Sequence, residues 1–480
     1  MDGRQGFRWF KDDVCDRCGE CLQSCPVLNL SNRGAKADIQ ALISGDVDDA
    51  LAFRFCNTCN ACDLVCPKEA DPYELVLENF NDYGQNHGLP FLAKMILPNE
   101  PQNMWSALRV LMDPDELSLL QAWEAGLHTP KKQILLTGMY TSLVPRLTTA
   151  KILDDLRPVM VGGEGLWGCG GDSTKLGAIG LTEQVVALLE RLFRDMGAER
   201  VYCFMEAEAA MLAEVLPRRF GADFKVEALP LDYWVLERLE QGEVEVTRKL
   251  NWRATVHDNC LSRYFGGRPQ EVVRKIVQIA GCELIEMRHH RSNALCCGWA
   301  ATIPTLYGAM SGNPLRTVIH LFHSLDMRLQ EAVETGADVL VASCPACYAF
   351  LSIIKELTNA RIDVYHPLEI VEMATGGASV PKIPERCWEI LAIATDLGIR
   401  WGTSNENRRR FMPSSIDPAC VAPVPQVSED DARRIGALAR FYKGPIVQNR
   451  ITRALTGAII RACIAAHRSS LRRTLRRRRT

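Results

Sequence analysis

Cys15-Asp16-Arg17-Cys18-Gly19-Glu20-Cys21-Leu22-Gln23-Ser24-Cys25-Pro26 carries four thiols at steps of three, three and four residues and closes on a proline. Cys56-Asn57-Thr58-Cys59-Asn60-Ala61-Cys62-Asp63-Leu64-Val65-Cys66-Pro67 repeats the spacing without deviation. A tight turn with this stepping can lay three thiolates on three irons of one four-iron cubane, while the fourth cysteine points elsewhere. Structural zinc is the alternative. It prefers C-x2-C pairs divided by a longer loop and closes on four tetrahedral ligands, so three evenly stepped cysteines fit it poorly. Two [4Fe–4S] cubanes are therefore expected within residues 1–100, in a mainly helical unit whose Ile39, Leu42, Ile43 and Leu51 read as short helices.

In two-cluster ferredoxins the fourth cysteine of each run binds the other cluster. On that pattern Cys15, Cys18, Cys21 and Cys66 hold one cubane, and Cys56, Cys59, Cys62 and Cys25 hold the other.

The rest of the composition agrees with metal ligation in a reducing compartment. Nineteen cysteines in 480 residues, clustered at short spacings, read as ligands rather than as a disulfide framework. The first twelve residues have no apolar signal region, and no apolar stretch approaches the length that spans a bilayer. A cytoplasmic protein is expected. The net charge of −2 hides an asymmetry: residues 432–480 hold 14 Lys and Arg and no acid, leaving 42 basic against 58 acidic residues in the first 431.

Beyond Pro90 to Pro101, which read as a linker, the pattern becomes α/β. Strand-like runs begin at Gln133, Arg200, Ala254 and Val339, and helical stretches such as Thr182 to Met196 and Pro269 to Ala280 separate them. That alternation predicts a largely parallel sheet. A faint internal repeat relates Lys132–Leu216 to Arg253–Leu351. Two tandem α/β units are expected, at 131–250 and 251–376. Residues 377–480 form a C-terminal extension with an amphipathic basic helix.

The second repeat carries Cys260 after His257-Asp258-Asn259, then Cys296-Cys297-Gly298, then Cys344-Pro345-Ala346-Cys347. Each group follows a strand-like run, and loops at the carboxyl ends of parallel strands converge on one crevice. Five thiolates can meet there; buried cysteines with a reducible vicinal pair are the simpler alternative. Here the sequence resembles the cysteine-rich CCG domains of heterodisulfide reductase catalytic subunits and of the iron–sulfur subunits of glycerol-3-phosphate dehydrogenase and glycolate oxidase. The family pattern, C…CCG…CxxC, is usually present twice. The resemblance implies that Cys260, Cys296, Cys297, Cys344 and Cys347 hold a catalytic non-cubane [4Fe–4S] cluster that acts on a disulfide. The first repeat departs from the pattern: Gly138-Met139, Gly168-Cys169-Gly170 and Cys203-Phe204-Met205-Glu206 keep only Cys169 and Cys203. Two thiolates cannot hold four irons, so this copy is expected to shape the crevice.

Two functions follow from the resemblance. One is a disulfide-reducing subunit of a larger complex, fed through the cubanes by a flavoprotein or cytochrome partner. The other is a non-catalytic relay between a flavin dehydrogenase, or an electron-transferring flavoprotein, and a membrane quinone or cytochrome. His257, His289 and His290 lie near the five-cysteine set, and a satisfied loop histidine is the simpler reading of each. Ile451, Leu455, Ile459, Ala462 and Ala466 share one face of the basic helix, with Arg450, Arg453, Arg461 and Arg468 around it. Contact with a membrane surface or an acidic partner is one expectation and a solvated tail the other; the acidic body argues against nucleic acid.

Overall fold

The computed structural model describes residues 6–101, 103–163, 169–301, 314–379, 383–403, 409–416 and 426–477. The eight-cysteine region is helical. Helix α1 (Asn32–Ser44) starts on Ser31, whose hydroxyl accepts from the Gly34 amide at 3.1 Å. The short α2 (Leu51–Phe55) follows Ala50, which has no capping side chain, and the buried Asp38 carboxylate accepts from the amides of Leu51 and Ala52 instead. Helix α3 (Pro72–His87) begins with proline, whose missing N–H costs nothing at that position, and buries Leu75, Val76, Leu77 and Phe80.

The stretch Pro90 to Pro101 is not a linker. Leu89, Phe91, Ala93, Ile96 and Leu97 are buried, and Leu89 exchanges two backbone hydrogen bonds with Phe411, at 2.7 and 2.9 Å. Apolar residues placed between the prolines wedge the segment into the core. Helix α4 (Pro114–Gly126) then enters through an Asp113–Glu116 capping box.

Strands β1 (Gln133–Leu136) and β2 (Met160–Val161) are followed by α5 (Ile179–Met196), β3 (Arg200–Cys203), β4 (Glu227–Pro230) and α6 (Leu231–Glu240). All pair in parallel, in the order β2-β1-β3-β4. The chain then repeats the plan with β5 (Arg253–His257), α7 (Arg268–Ile279), β6 (Glu283–Leu284), α8 (Pro314–Glu334), β7 (Val339–Ala342), α9 (Pro345–Thr358), β8 (Asp363–Tyr365) and α10 (Pro367–Ala374). The second sheet is parallel in the order β6-β5-β7-β8. Ile134, Leu135 and Leu136 are fully buried and β7 is buried throughout, as parallel strands covered on both faces require. In each sheet the chain reverses direction between the first and third strands of its set, and the carboxyl ends there open the crevice in which such folds bind ligands.

Helices α11 (Ile383–Thr403), α12 (Glu429–Lys443) and α13 (Arg450–Arg477) complete the described chain. Helix α13 lies on α8 and α9 through Gly457, Ile464 and Leu471. Its arginines turn toward the body: Arg453 pairs with Glu356, Arg468 with Asp326 at 3.1 Å, and Arg461 donates to the Thr358 carbonyl. Ile451, Leu455 and Ile459 face outward, 73%, 60% and 63% exposed.

Gly177 marks where the first α/β unit presses on the helical one. Its φ is +69°, and a Cβ there would sit 2.3 Å from the Asn81 amide nitrogen of α3. Gly177→Ala should therefore cost roughly 2 kcal/mol or more, from left-handed strain plus an immovable backbone clash. Thermal unfolding of the holoprotein checks this; an unchanged melting temperature would mean that the two units do not touch there.

Candidate functional site

Cys260 opens a 3-10 turn (Cys260–Phe265) directly beyond β5. The Asn259 side chain caps it, accepting from the amides of Leu261 and Ser262 at 3.0 and 3.1 Å. Asp258 is locked by the Arg274 guanidinium through two bonds of 2.6 and 2.9 Å and accepts from the Arg291 amide at 2.6 Å. Cys344 sits at the N-cap of α9 beyond β7, and Cys347 lies in that helix's first turn. His366 steadies the same loop, its Nε2 donating to the Ser343 carbonyl at 2.7 Å. The glycine after Cys296-Cys297 is obligatory: Gly298 has φ +98°, and a Cβ would stand 2.5 Å from the Ser324 carbonyl carbon of α8.

The three loops bring Cys260, Cys296, Cys297, Cys344 and Cys347 to one buried cavity of about 70 Å³. Hydrogen bonds from the Cys296 and Cys347 thiols pull Cys297 below the usual thiol range. A hydrogen bond from Cys347, joined by backbone amides at the start of α9, does the same for Cys344. All eighteen cysteines among the described residues are free thiols.

The first repeat forms the opposite wall, with Met139, Cys169, Lys175, Met205 and Glu208. Lys175 ends the short helix Gly171–Lys175, and its Nζ lies 4.0 Å from Cys260 Sγ. Burial opposes its charge, but Cys260, Cys296 and Asp172 more than compensate and hold the ammonium protonated. Glu206, which occupies the place of the second cysteine of CxxC, accepts from the Asn259 side chain beside Cys260. Trp299 spans the two repeats, its Nε1 donating to the Tyr140 hydroxyl at 2.8 Å while its ring stacks on Phe350 at 3.7 Å. Cys203 is buried behind this wall, its thiol pushed up by burial and then by Glu208 and Cys169. Gly168 lies outside the described residues.

Of the three nearby histidines only His257 reaches the site, with a ring nitrogen within 4.8 Å of Cys297 and Cys347 Sγ. Burial and Arg328 push its pKa down to about 3, so the ring is neutral. Arg328 Nε can only donate, so His257 Nδ1 accepts at 2.9 Å and the ring proton resides on Nε2. Nε2 is buried with no hydrogen-bond partner among the described residues. His289 is held by Glu331 at 2.7 Å, and His290 Nδ1 lies 2.8 Å from the Met287 carbonyl. Cys282 and Cys387 are buried elsewhere, Cys463 is exposed on α13, and Cys420 lies outside the described residues.

In the helical region Cys15, Cys18, Cys21 and Cys66 line one small cavity. Cys25 lies within electrostatic reach of Cys59, Cys56 of both Cys59 and Cys25, and Cys62 of Cys56 and Cys59. The two groups adjoin through Cys21 and Cys62. Cys56 and Cys59 in turn lie within reach of Cys296. Sequence reading missed the residue that fixes this junction. Buried Arg263, three residues after Cys260, donates to the carbonyls of Cys59, Ser292 and Ala294.

These thiol groups suit iron–sulfur clusters, and similarity to known proteins agrees. Residues 12–70 match a 4Fe-4S dicluster domain and residues 254–352 a cysteine-rich domain of the CCG type. The chain is an iron–sulfur electron-transfer protein in which the two domains are joined. It is 23% identical over 414 residues to one of the subunits of the dihydromethanophenazine:CoB–CoM heterodisulfide reductase of Methanosarcina barkeri, covering 76% of this chain and 94% of that protein. Over 143 residues it is 30% identical to a probable membrane-anchored ferredoxin of Chromohalobacter salexigens, 29% of this chain and 20% of that one. A probable iron–sulfur-binding oxidoreductase, FadF, of Bacillus subtilis is 21% identical over 204 residues, 40% of this chain and 27% of its own length. Over about three quarters of its length it is thus related to a heterodisulfide reductase subunit.

The His257 proton gives a measurable consequence. Hydrogen bonds to cluster sulfurs raise reduction potentials, so His257→Phe should lower the potential of the five-cysteine site by roughly 40–60 mV, the equivalent of about 1–1.4 kcal/mol for one electron. An EPR-monitored redox titration reads this directly; an unshifted potential with full iron content would make the ring purely structural.

Proposed function

We propose that Cys15, Cys18, Cys21 and Cys66 hold one [4Fe–4S] cubane, Cys56, Cys59, Cys62 and Cys25 a second, and Cys260, Cys296, Cys297, Cys344 and Cys347 a non-cubane [4Fe–4S] cluster. The chain then carries electrons along this series to reduce a disulfide, or a similar acceptor, at the five-cysteine site. The observation that carries the reading is the convergence of those five thiols on one cavity whose Cys296 adjoins Cys56 and Cys59. Clusters held by these residues would supply the one-electron chemistry. Reduction of one disulfide takes two electrons and two protons and releases two thiols. The chain's part is to keep protons beside the reacting sulfurs, on Lys175 Nζ and His257 Nε2, and to exclude water with Trp299, Met139 and Met205.

In this reading residues 1–100 form the two-cubane unit, 131–250 the degenerate and 251–376 the complete cysteine-rich unit, and 377–480 a C-terminal extension with the amphipathic basic helix. The chain works as a subunit on the cytoplasmic side, beside a flavoprotein or cytochrome. No helix among the described residues is long and apolar enough to cross a membrane. The outward row Ile451, Leu455 and Ile459 supports peripheral contact with the membrane surface; Arg478 and Arg479 lie outside the described residues.

Protein purified without oxygen should carry about twelve irons, four for each cluster. Cys297→Ser should retain about eight and lose disulfide reduction with an artificial electron donor; a variant that kept all twelve would remove the third cluster from the assignment. Lys175→Met should keep its iron yet lower the potential of the five-cysteine site, since a buried cation favours the reduced state, and Lys175→Arg should restore it. Equal potentials in the three proteins would assign Lys175 to packing alone.

A further inference from the structure

A second, larger cavity of about 510 Å³ lies between the helical unit, α8 and α13. One wall is Pro26 to Asn29, the residues immediately after Cys25, and another is Leu295, immediately before Cys296. Leu28, Leu295, Met327 and Leu471 give it an apolar side. The polar side is unbalanced. Arg288, Arg468 and Arg472 contribute three guanidiniums. Glu331, the nearest buried acid, is committed to Arg328 and His289 at 2.7 Å each, which leaves the exposed Glu334 as the other carboxylate of the lining. Arg468 is shared with Asp326, whereas Arg288 and Arg472 have no ion-pair partner among the described residues.

His323 lies in the same positive field. It lines the cavity at 4% exposure, and its Nδ1 is buried without a hydrogen-bond partner. Arg468, His467 and Arg472 crowd the ring with positive charge and, together with burial, keep it neutral. A cavity ringed by positive charge favours an anion.

We propose that this cavity binds an organic phosphate, with the phosphate among Arg288, Arg468, Arg472 and His323 and an apolar body against Leu28, Leu295 and Met327. Three guanidinium forks exceed what one carboxylate can accept and match the oxygens of a phosphate ester. The volume lies within the range of small-molecule and cofactor sites. The position gives the site its interest, because a ligand there touches the chain segments next to Cys25 and Cys296 at once. The proposal goes beyond the electron-transfer reading and does not depend on it: failure to bind phosphate would leave the cluster ligands as assigned, and loss of a cluster would leave this cavity intact.

Flavin mononucleotide and riboflavin differ by one phosphate and serve as probes, with calorimetry performed on the iron-loaded full chain. Flavin mononucleotide should bind roughly tenfold or more tightly than riboflavin. Inorganic phosphate should displace it. Phosphatidylglycerol vesicles that displace it as well would identify a lipid headgroup, rather than a soluble ester, as the source of the phosphate. Arg288→Gln combined with Arg472→Gln, both surface residues, should weaken flavin mononucleotide roughly tenfold or more while iron content and melting temperature stay constant. Met327→Trp should fill the apolar side and abolish binding without touching a charge. Equal affinities for the two flavins, no binding of flavin mononucleotide, or undiminished binding by both variants would overturn the proposal.

Discussion

One buried guanidinium holds the redox centres of this protein in register. Arg263 spends its donors on the carbonyls of Cys59, Ser292 and Ala294, so the helical unit and the loop that leads into Cys296 close on a single side chain. A buried arginine facing only carbonyls would be costly to desolvate. The hydrogen bond with Cys296 and burial push the adjacent Cys260 thiol up, and Lys175 and Arg263 both oppose that shift.

The same logic explains how the first repeat changed without becoming dispensable. Five ionised thiols in one cavity would repel each other strongly at low dielectric. The first α/β unit carries only Cys169 and Cys203 and places an ammonium, Lys175, against Cys260. Where the pattern's last cysteine would stand it has Glu206, whose side chain accepts from Asn259 and so positions the turn that presents Cys260. Its Tyr140 anchors Trp299 directly after the Cys-Cys-Gly turn. The first α/β unit thus supplies the electrostatic and steric half of the five-cysteine cavity.

The legible part of this architecture is the part encoded in local spacing. The eight-cysteine array, the five-cysteine set and the longer strands β1, β3, β5 and β7 were all readable, because a ligand step or a run of apolar residues needs no distant partner to be recognised. The strands β2 and β6 are two residues each and carry no period to detect. Pro90 to Pro101 read as a linker because prolines punctuate it, yet its apolar residues are buried by a partner strand segment more than three hundred residues away, at Phe411. Arg263 and Lys175 escaped for the same reason: a lone cation near a cysteine acquires meaning only when the carbonyl or sulfur it faces is known, and those partners lie on other domains. His257 was visible, but its tautomer was fixed by Arg328, 71 residues later.

The C-terminal helix shows how misleading a charge pattern is without a docking direction. By composition α13 is basic, and a basic helix facing solvent would act as a diffuse electrostatic handle. In the fold Arg453 and Arg468 are neutralised by Glu356 and Asp326, and Arg461 is tied to a backbone carbonyl, so a large share of that charge is consumed in holding the helix to α8 and α9. The face left outside is the apolar one. Any surface that covers Ile451, Leu455 and Ile459 is therefore recognised first by excluded water, with the remaining arginines setting orientation. Such a contact keeps its apolar part when salt screens the charge of Arg472, which is unpaired among the described residues.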